Sequence, residues 1–487
     1  MPALRAGGYV KIAWMSLHRL VASLLVVGSL AGTAPGAFAQ TDADSYFEFL
    51  MARRLEGSGD FTGAQAALDR AVVAAPRSAE LRGQVASFYL RRSQPDEAEK
   101  AAKAALDIDD ANVEGHRALG LVYAGYADAA TGARAGSPEI TTYLKNAITH
   151  LERAAAGAPS GDLVLHFTLG RLYLRTEQPG KAVESLNRVV AFNPGSVQAR
   201  LALAQAYAAN KNLPMAIDTL ELIVDDEPRV APALGQYQEQ AGRFKDAAAS
   251  YTKALEVQPM SREIKARRIA ALFGANDLPG AAAAAADAQR QHPDDPRFPR
   301  LRARALFDGG SRNDGLSVLE GAARAFPKDA NTLYQLADMY KDAGRQPDAE
   351  KTLRQLLTVE PGNANALNYL GYLLALKGDR ERLDEAIDLV RKALVAEPDN
   401  GAFLDSLGWA LYRKGDLGEA EKYLGQAASR LPRNSEVQDH LGDVLAKRGR
   451  LPDAVEAWMR ALDGDGSDID RAEIQKKIND ARSKIRK

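Results

Sequence analysis

Residues 364–400, ANALNYLGYLLALKGDRERLDEAIDLVRKALVAEPDN, run directly into residues 401–434, GAFLDSLGWALYRKGDLGEAEKYLGQAASRLPRN. Set one under the other, the lines carry the same marks: Leu370-Gly371 with Leu407-Gly408, Ala386 with Ala420, Ala393 with Ala427, Pro398 with Pro432. A unit of about 34 residues is written twice, with a small residue at its eighth position, alanine at its twentieth and twenty-seventh, and proline at its thirty-second. Two antiparallel helices can cross closely only where Gly or Ala stands, because an extra methylene at such a crossing costs about 1–3 kcal/mol. Proline cannot continue a helix, so it closes the unit.

The same frame extends over residues 45 to about 467. Position eight is Ala or Gly from Ala52 and Ala86 to Gly408 and Gly442, with Ile269 the exception. Position twenty is alanine from Ala64 to Ala454, with Gly315 the exception, and Asp110 and Gly466 stand where proline is expected. This pattern resembles the tetratricopeptide repeat (TPR) family. The resemblance implies an all-α solenoid, or superhelix, of about twelve helical hairpins, each touching its neighbours, in place of the several globular domains that 487 residues suggest.

Composition removes several classes of function. With 63 Lys plus Arg against 64 Asp plus Glu, nothing draws the whole chain to nucleic acid. The absence of cysteine excludes disulfides, thiolate nucleophiles, cysteine zinc sites and an acylated cysteine anchor.

The first 39 residues have the pattern of a secretory signal peptide: Arg5, Lys11 and Arg19 with no acid before Asp42, an apolar run from Leu20 to Leu30, and Ala37-Phe38-Ala39 before Gln40 as the cleavage site. Met15 is an alternative start that gives a tidier signal. The expected location is the periplasm; the competing reading is an uncleaved N-terminal segment that anchors the chain in the inner membrane.

The chain then divides into repeats one to five (45–230), irregular repeats six and seven (231–295), repeats eight to twelve (296–467) and a final helix (468–487). Repeat three carries an insertion at about 124–146, read as a lengthened turn followed by an extended second helix, and either a protruding contact element or a tolerated surface insertion. Repeat six is short before Gly235 and holds Pro232, so its first helix is expected to be clipped, with a change of twist or a hinge there. Ile269 and the alanine run 281–286 mark repeat seven as the weakest packed unit. Repeat ten carries three extra residues, placed in its turn around Arg380–Arg382. The last residues read as a polar capping helix with Ser467 or Asp468 as N-cap and a thin stripe of Ile469, Ile474, Ile478 and Ile485.

No catalytic motif stands out: there is no GxSxG elbow, HExxH pair or Walker loop, so neither an enzyme nor a cofactor is expected. None of the six histidines is spaced with another ligand type as a metal site; His116 and His166 hold the fourth position, where the family sets a large packing residue. Asp463, Asp465, Ser467 and Asp470 imitate the start of a calcium loop, but Asp468 replaces its glycine and Ile474 its closing glutamate. Gly57, Gly59 and Gly63 lie in an interhelical turn with no strand before them and do not make a phosphate loop.

In the TPR family, positions 2, 5, 9, 12 and 13 of the first helices line a concave groove. Carried over, these are Asn365, Asn368, Tyr372, Asp405, Trp409, Tyr412, Asp439 and Asp443, the candidate partner-binding residues for a protein or peptide. A Trp and two Tyr among acids suggest a hot spot, tested by loss of binding in Trp409→Ala with unchanged melting. The competing reading is that the aromatics pack between first helices and stiffen the wall. A second candidate is a basic strip of Arg297, Arg300 and Arg304, against a plain solvated arginine face. The family's carboxylate clamp needs Lys and Asn at set positions; Asn368 meets one and its partners are missing.

The stretch LDSLGWALYRKGDLGEAEKYLGQA (404–427) further resembles bacterial envelope TPR proteins, some of them lipoprotein adaptors of carboxyl-terminal processing proteases. Those carry a lipidated cysteine that this chain lacks. The resemblance implies a non-enzymatic scaffold or adaptor of the cell envelope. Alternatives are a component of a polysaccharide-export or assembly complex, associated peripherally with a membrane complex, and an adaptor acting indirectly on proteolysis.

Overall fold

The computed structural model describes residues 43–130, 137–157, 161–377, 380–466 and 469–486. The leader and the Ser467 and Asp468 cap positions lie outside them. Among the described residues there are 25 α-helices, one short 3₁₀ turn and no strand. Helices alternate as hairpins, and the chain forms two compact units, one ending at Pro259 and the other beginning at Met260. That division falls at the end of repeat six, one helix after its clipped first helix.

The first unit holds six hairpins, from Ala43–Gly57 with Phe61–Ala74 to Ala231–Gln240 with Phe244–Val257. The second holds six more, from Arg262–Gly274 with Leu278–Gln291 to Ser435–Lys447 with Leu451–Asp463, and then Arg471–Ile485. One buried cluster runs through the second unit from Ala303 to Ala481, as expected where each hairpin buries its apolar face only against the next.

Position eight works as the frame requires, and the partner it accommodates is position twenty-four. A Cβ on Gly170 would lie 2.4 Å from Leu186, on Gly408 2.6 Å from Leu424, and on Gly442 2.4 Å from Trp458. Gly235 likewise lies under Tyr251 and Gly371 under Val390. Repeat seven inverts the pair: Ile269 at position eight and Ala285 at position twenty-four share one buried cluster, both fully covered. The alanine run is therefore the small half of a large-and-small pair whose other half is Ile269.

Most second helices end one residue before the residue preceding proline, as at Phe192 and Pro194 or Arg430 and Pro432, whereas Leu213–Glu221 stops well short of Pro228. Two residues after such prolines a short polar side chain caps the next helix: Ser78, Ser196, Ser261, Asp329, Asn363, Asn400 and Asn434 each accept a backbone N–H. Inside the hairpin, position fifteen takes a left-handed backbone. It is Gly at 59, 242, 310, 344, 415 and 449, and Ser93, Glu177, Lys211 and Asn276 elsewhere.

Three local expectations are corrected. The insertion of repeat three gives the expected extended second helix, Pro138–Gly157, but lengthens the first helix too, to Val113–Ala129, in place of much of the turn. Arg380–Arg382 form the first turn of the helix Arg380–Ala396 and do not sit in the turn before it, since a run without Gly or Pro continues helically. The last helix is capped by Asp470, which accepts from Glu473 N at 3.0 Å. Its start is delayed because Asp465 N donates to Arg433 O and Gly466 N to Ser435 Oγ, holding 463–466 against the preceding repeat. The clipped first helix of repeat six is present: Ala231–Gln240 has 10 residues and follows the 3₁₀ turn Pro228–Val230.

Candidate partner-binding site

The eight candidate residues stand on the first helices Ala364–Lys377, Gly401–Lys414 and Ser435–Lys447. Helical spacing of three, four and seven places Asn365, Asn368 and Tyr372 along one stripe, with Asp405, Trp409 and Tyr412, then Asp439 and Asp443, on the corresponding stripes. These helices are consecutive in the second unit and share its buried cluster, so the stripes lie side by side.

The centre of the patch is a buried stack. His440 Nδ1 lies 3.0 Å from Asp405 Oδ1, and both residues are buried. The Trp409 ring covers the imidazole at 4.0 Å between centroids and 17° between planes, and Tyr412 stacks on Trp409 at 5.1 Å. Burial works against a charge on His440, but the adjacent Asp405 carboxylate outweighs it and lifts the imidazole above its usual range. A cationic ring under an indole face gains a further cation–π attraction. Because the indole roofs this ion pair, Trp409→Ala should open the pair to water and lower the melting temperature, so that substitution alone does not separate lost binding from lost stability.

The acidic side of the patch is answered by the last helix. Lys477 Nζ reaches Asp439 at 2.9 Å and Asp443 at 2.7 Å, and Asp443 also accepts from Trp458 Nε1 at 3.1 Å. Burial, then repulsion from Asp443, raises the Asp439 carboxyl above its usual range. Burial depresses Lys477, and its bonds to Asp443 and Asp439 reverse that and raise it. On the other side, the Tyr372 hydroxyl donates to Glu436 at 3.0 Å, bridging from repeat ten to repeat twelve. Asn365 is exposed. Two atoms stay unanswered: Asn368 Oδ1 and Trp409 Nε1 are closed to solvent and have no hydrogen-bond partner among the described residues.

The sequence frame missed Glu436, His440 and Lys477. Glu436 stands at position two and was open to discovery by the same rule. Counting the last helix as the first helix of a further unit puts Lys477 at position nine, in register with Trp409 and Asp443. His440 occupies position six, which the groove rule does not include.

The other candidates resolve into local pairs. Arg297 holds Asp295 at 2.8 Å, Arg304 holds Asp308 at 2.7 Å, and Arg300 lies 4.0 Å from Asp329, so each cation of the strip faces an acid. His116, although far in sequence from His150, meets it with Nδ1 atoms 2.8 Å apart and places Nε2 on Asp110 O at 2.8 Å. Burial first, then the charges of His116 and Arg153, pushes His150 down to about 4. Among the described residues no group of three His, Asp or Glu converges as a metal site. Asp465 is bound to Arg433 at 2.6 Å and Asp470 serves as a helix cap.

This architecture of hairpins and the sequence comparison agree. The tetratricopeptide repeat model matches residues 49–113, 167–230, 233–296, 334–402 and 406–469, and the chain belongs to that family. It is 30% identical over 144 residues to a TPR repeat-containing protein of Pseudomonas aeruginosa, covering 29% of this chain and 24% of that one. It is 24% identical over 231 residues to the cellulose synthase operon protein C of Escherichia coli, covering 46% and 18%. The matched segments thus span a quarter or less of those relatives. Among solved structures, yeast Tom70 aligns with 92% of this chain and 97% of its own at a TM-score of 0.42 and 14% identity. TPR hairpins build protein-interaction scaffolds, and that is the class of this chain.

Proposed function

We propose that this chain is a non-enzymatic scaffold or adaptor of the bacterial cell envelope that holds a protein or peptide partner on the first helices of repeats ten to twelve. The observation that carries the site is the orphaned pair, one acceptor on Asn368 and one donor on Trp409. A buried polar group left without a partner costs about 1–3 kcal/mol, so an asparagine serving only to pack is a poor choice there. Both atoms are closed to water in the unbound chain, so a peptide main chain supplies their complements, an N–H for the amide oxygen and a C=O for the indole, only as the side chains over them move aside. The exposed Asn365 and the partly covered Tyr372 and Tyr412 flank them as the rim.

Asn368→Leu separates this reading from pure packing. It removes the orphaned oxygen at similar volume, so melting stays level or rises, while partner retention falls. A photo-crosslinking residue at Asn365 captures the same partner in living cells. Full retention by Asn368→Leu together with no adduct from position 365 removes the site.

The likeness to cellulose synthase operon protein C favours a second reading, a component of an envelope polysaccharide-export or assembly complex. Capture with and without detergent divides the two: partners that appear only from solubilised membranes support the complex. Periplasmic placement rests on the leader pattern of residues 1–39. A C-terminal alkaline phosphatase fusion that stays inactive in cells overturns it.

A further inference from the structure

A cleft of about 680 Å³ opens between the second helices of repeats seven and eight, Leu278–Gln291 and Arg312–Ala325, away from the patch described above. Its origin is the small side chains on the two facing helices. At Ala286, Gly321, Ala322 and Ala325 the surface stops at Cβ or short of it, so the space is not filled. Pro293, Pro299 and Phe326 give it apolar walls.

Its charge is one-sided. Arg290 and Arg302 line it, no Asp or Glu does, and Arg324 Nη2 lies 3.9 Å from the place a Cβ on Gly321 would take. Arg290 is held by Asp287 at 2.9 Å, an exposed pair that water screens. Arg302 is different. Its helix neighbours Arg297 and Arg304 hold carboxylates, whereas the half-buried Arg302 has only the neutral Gln289 oxygen at 3.4 Å. Among the described residues no carboxylate comes within ion-pair distance of it.

We propose that this cleft is a second binding site, which takes an acidic peptide segment carrying one large apolar side chain. The planar guanidinium of Arg302, with Arg324 at the rim, receives the carboxylates in forked hydrogen bonds. The apolar side chain enters between Pro299 and Phe326 in this open cleft. Gly321 and Ala322 let the peptide main chain approach, as a longer side chain would not. The site is independent of the Trp409 patch and shares with it only the premise that the chain binds proteins.

The test is fluorescence anisotropy at low salt with the full chain and a fluorescein-labelled, glutamate-rich peptide holding a central phenylalanine. Saturable binding is expected, weakened at least about tenfold in Arg302→Gln, since a hydrogen bond to a charged group is worth at least that factor. Gly321→Leu fills the cleft, raises helix propensity and meets no close neighbour at Cβ, so it melts no lower and abolishes binding. Undiminished binding by Gly321→Leu, or equal binding of a peptide with Gln for every Glu, overturns the site. Complete displacement by inorganic phosphate or by phosphatidylglycerol vesicles overturns the peptide assignment in favour of a free anion or a membrane. Asn368→Leu leaves this titration unchanged, so failure of the first-helix site and failure of the cleft are read apart.

Discussion

The Asp405–His440 pair beneath Trp409 ties charge, packing and pH together in a few side chains. Removing one partner of a buried pair strands the other, so Asp405→Ala should cost about 3–5 kcal/mol, read from denaturant unfolding. Because the folded imidazole titrates above its unfolded value of about 6.5, its contribution is fully present below that pH and fades as pH rises through the raised value. His150 has the opposite sign: with a folded value of about 4, it withdraws stability as pH falls from about 6.5 to that value. Their combined effect is a stability maximum near pH 6.5. Asp405→Asn should flatten the alkaline limb and His150→Phe the acid limb of melting temperature against pH; an unchanged alkaline limb in Asp405→Asn contradicts the pairing. Asp405 and Trp409 were legible from the groove positions that the family resemblance implies, and Trp409 also because position nine has no core duty. His440 and the His116–His150 contact were not, since each depends on a neighbour at least 34 residues away in the chain.

Pairs of helices show what a small residue in the frame does and does not reveal. Its place was readable; the side chain it shelters was not, because position twenty-four varies from Ala to Trp as position eight varies from Ile to Gly. Gly442→Ala places a Cβ 2.4 Å from the Trp458 ring and should destabilise by about 1–3 kcal/mol in thermal or denaturant unfolding. Ile269→Ala should cost about 2–5 kcal/mol. Ala285→Leu alone overpacks, and the double substitution restores the ordinary arrangement, so its loss should be smaller than the two single losses added together. A double-mutant cycle that sums without coupling rejects the reciprocal pair. Turns carry a separate signal. Glu177 at a left-handed position bears a strain that Gly does not, so Glu177→Gly should raise the melting temperature, offsetting about 1–2 kcal/mol of strain. Helix limits were the least legible feature, as at Arg380, where a sequence count fixes how many residues are added but leaves open whether they coil or extend a helix.

Across the molecule, the two compact units each carry their own hairpins, and the large buried cluster from Ala303 to Ala481 lies wholly in the second. Residues 260–487 should therefore fold alone with a single cooperative helical transition by circular dichroism; a non-cooperative melt denies that autonomy. The last helix is part of that unit. Removing residues 469–487 strips Ile474 and Ile478 from the core and leaves Asp439 and Asp443 without Lys477, so the truncated chain should melt lower and expose apolar surface to a hydrophobic dye. The inverted pair at Ile269 and Ala285 also bears on how such a chain can change over generations. A crossover that exchanged only the leading halves of repeats seven and eight would set Ile269 against Leu319 and Ala303 against Ala285, one junction too full and the other hollow. A recombination that keeps the packing would therefore carry the seventh repeat as a whole hairpin, with Ile269 and Ala285 together.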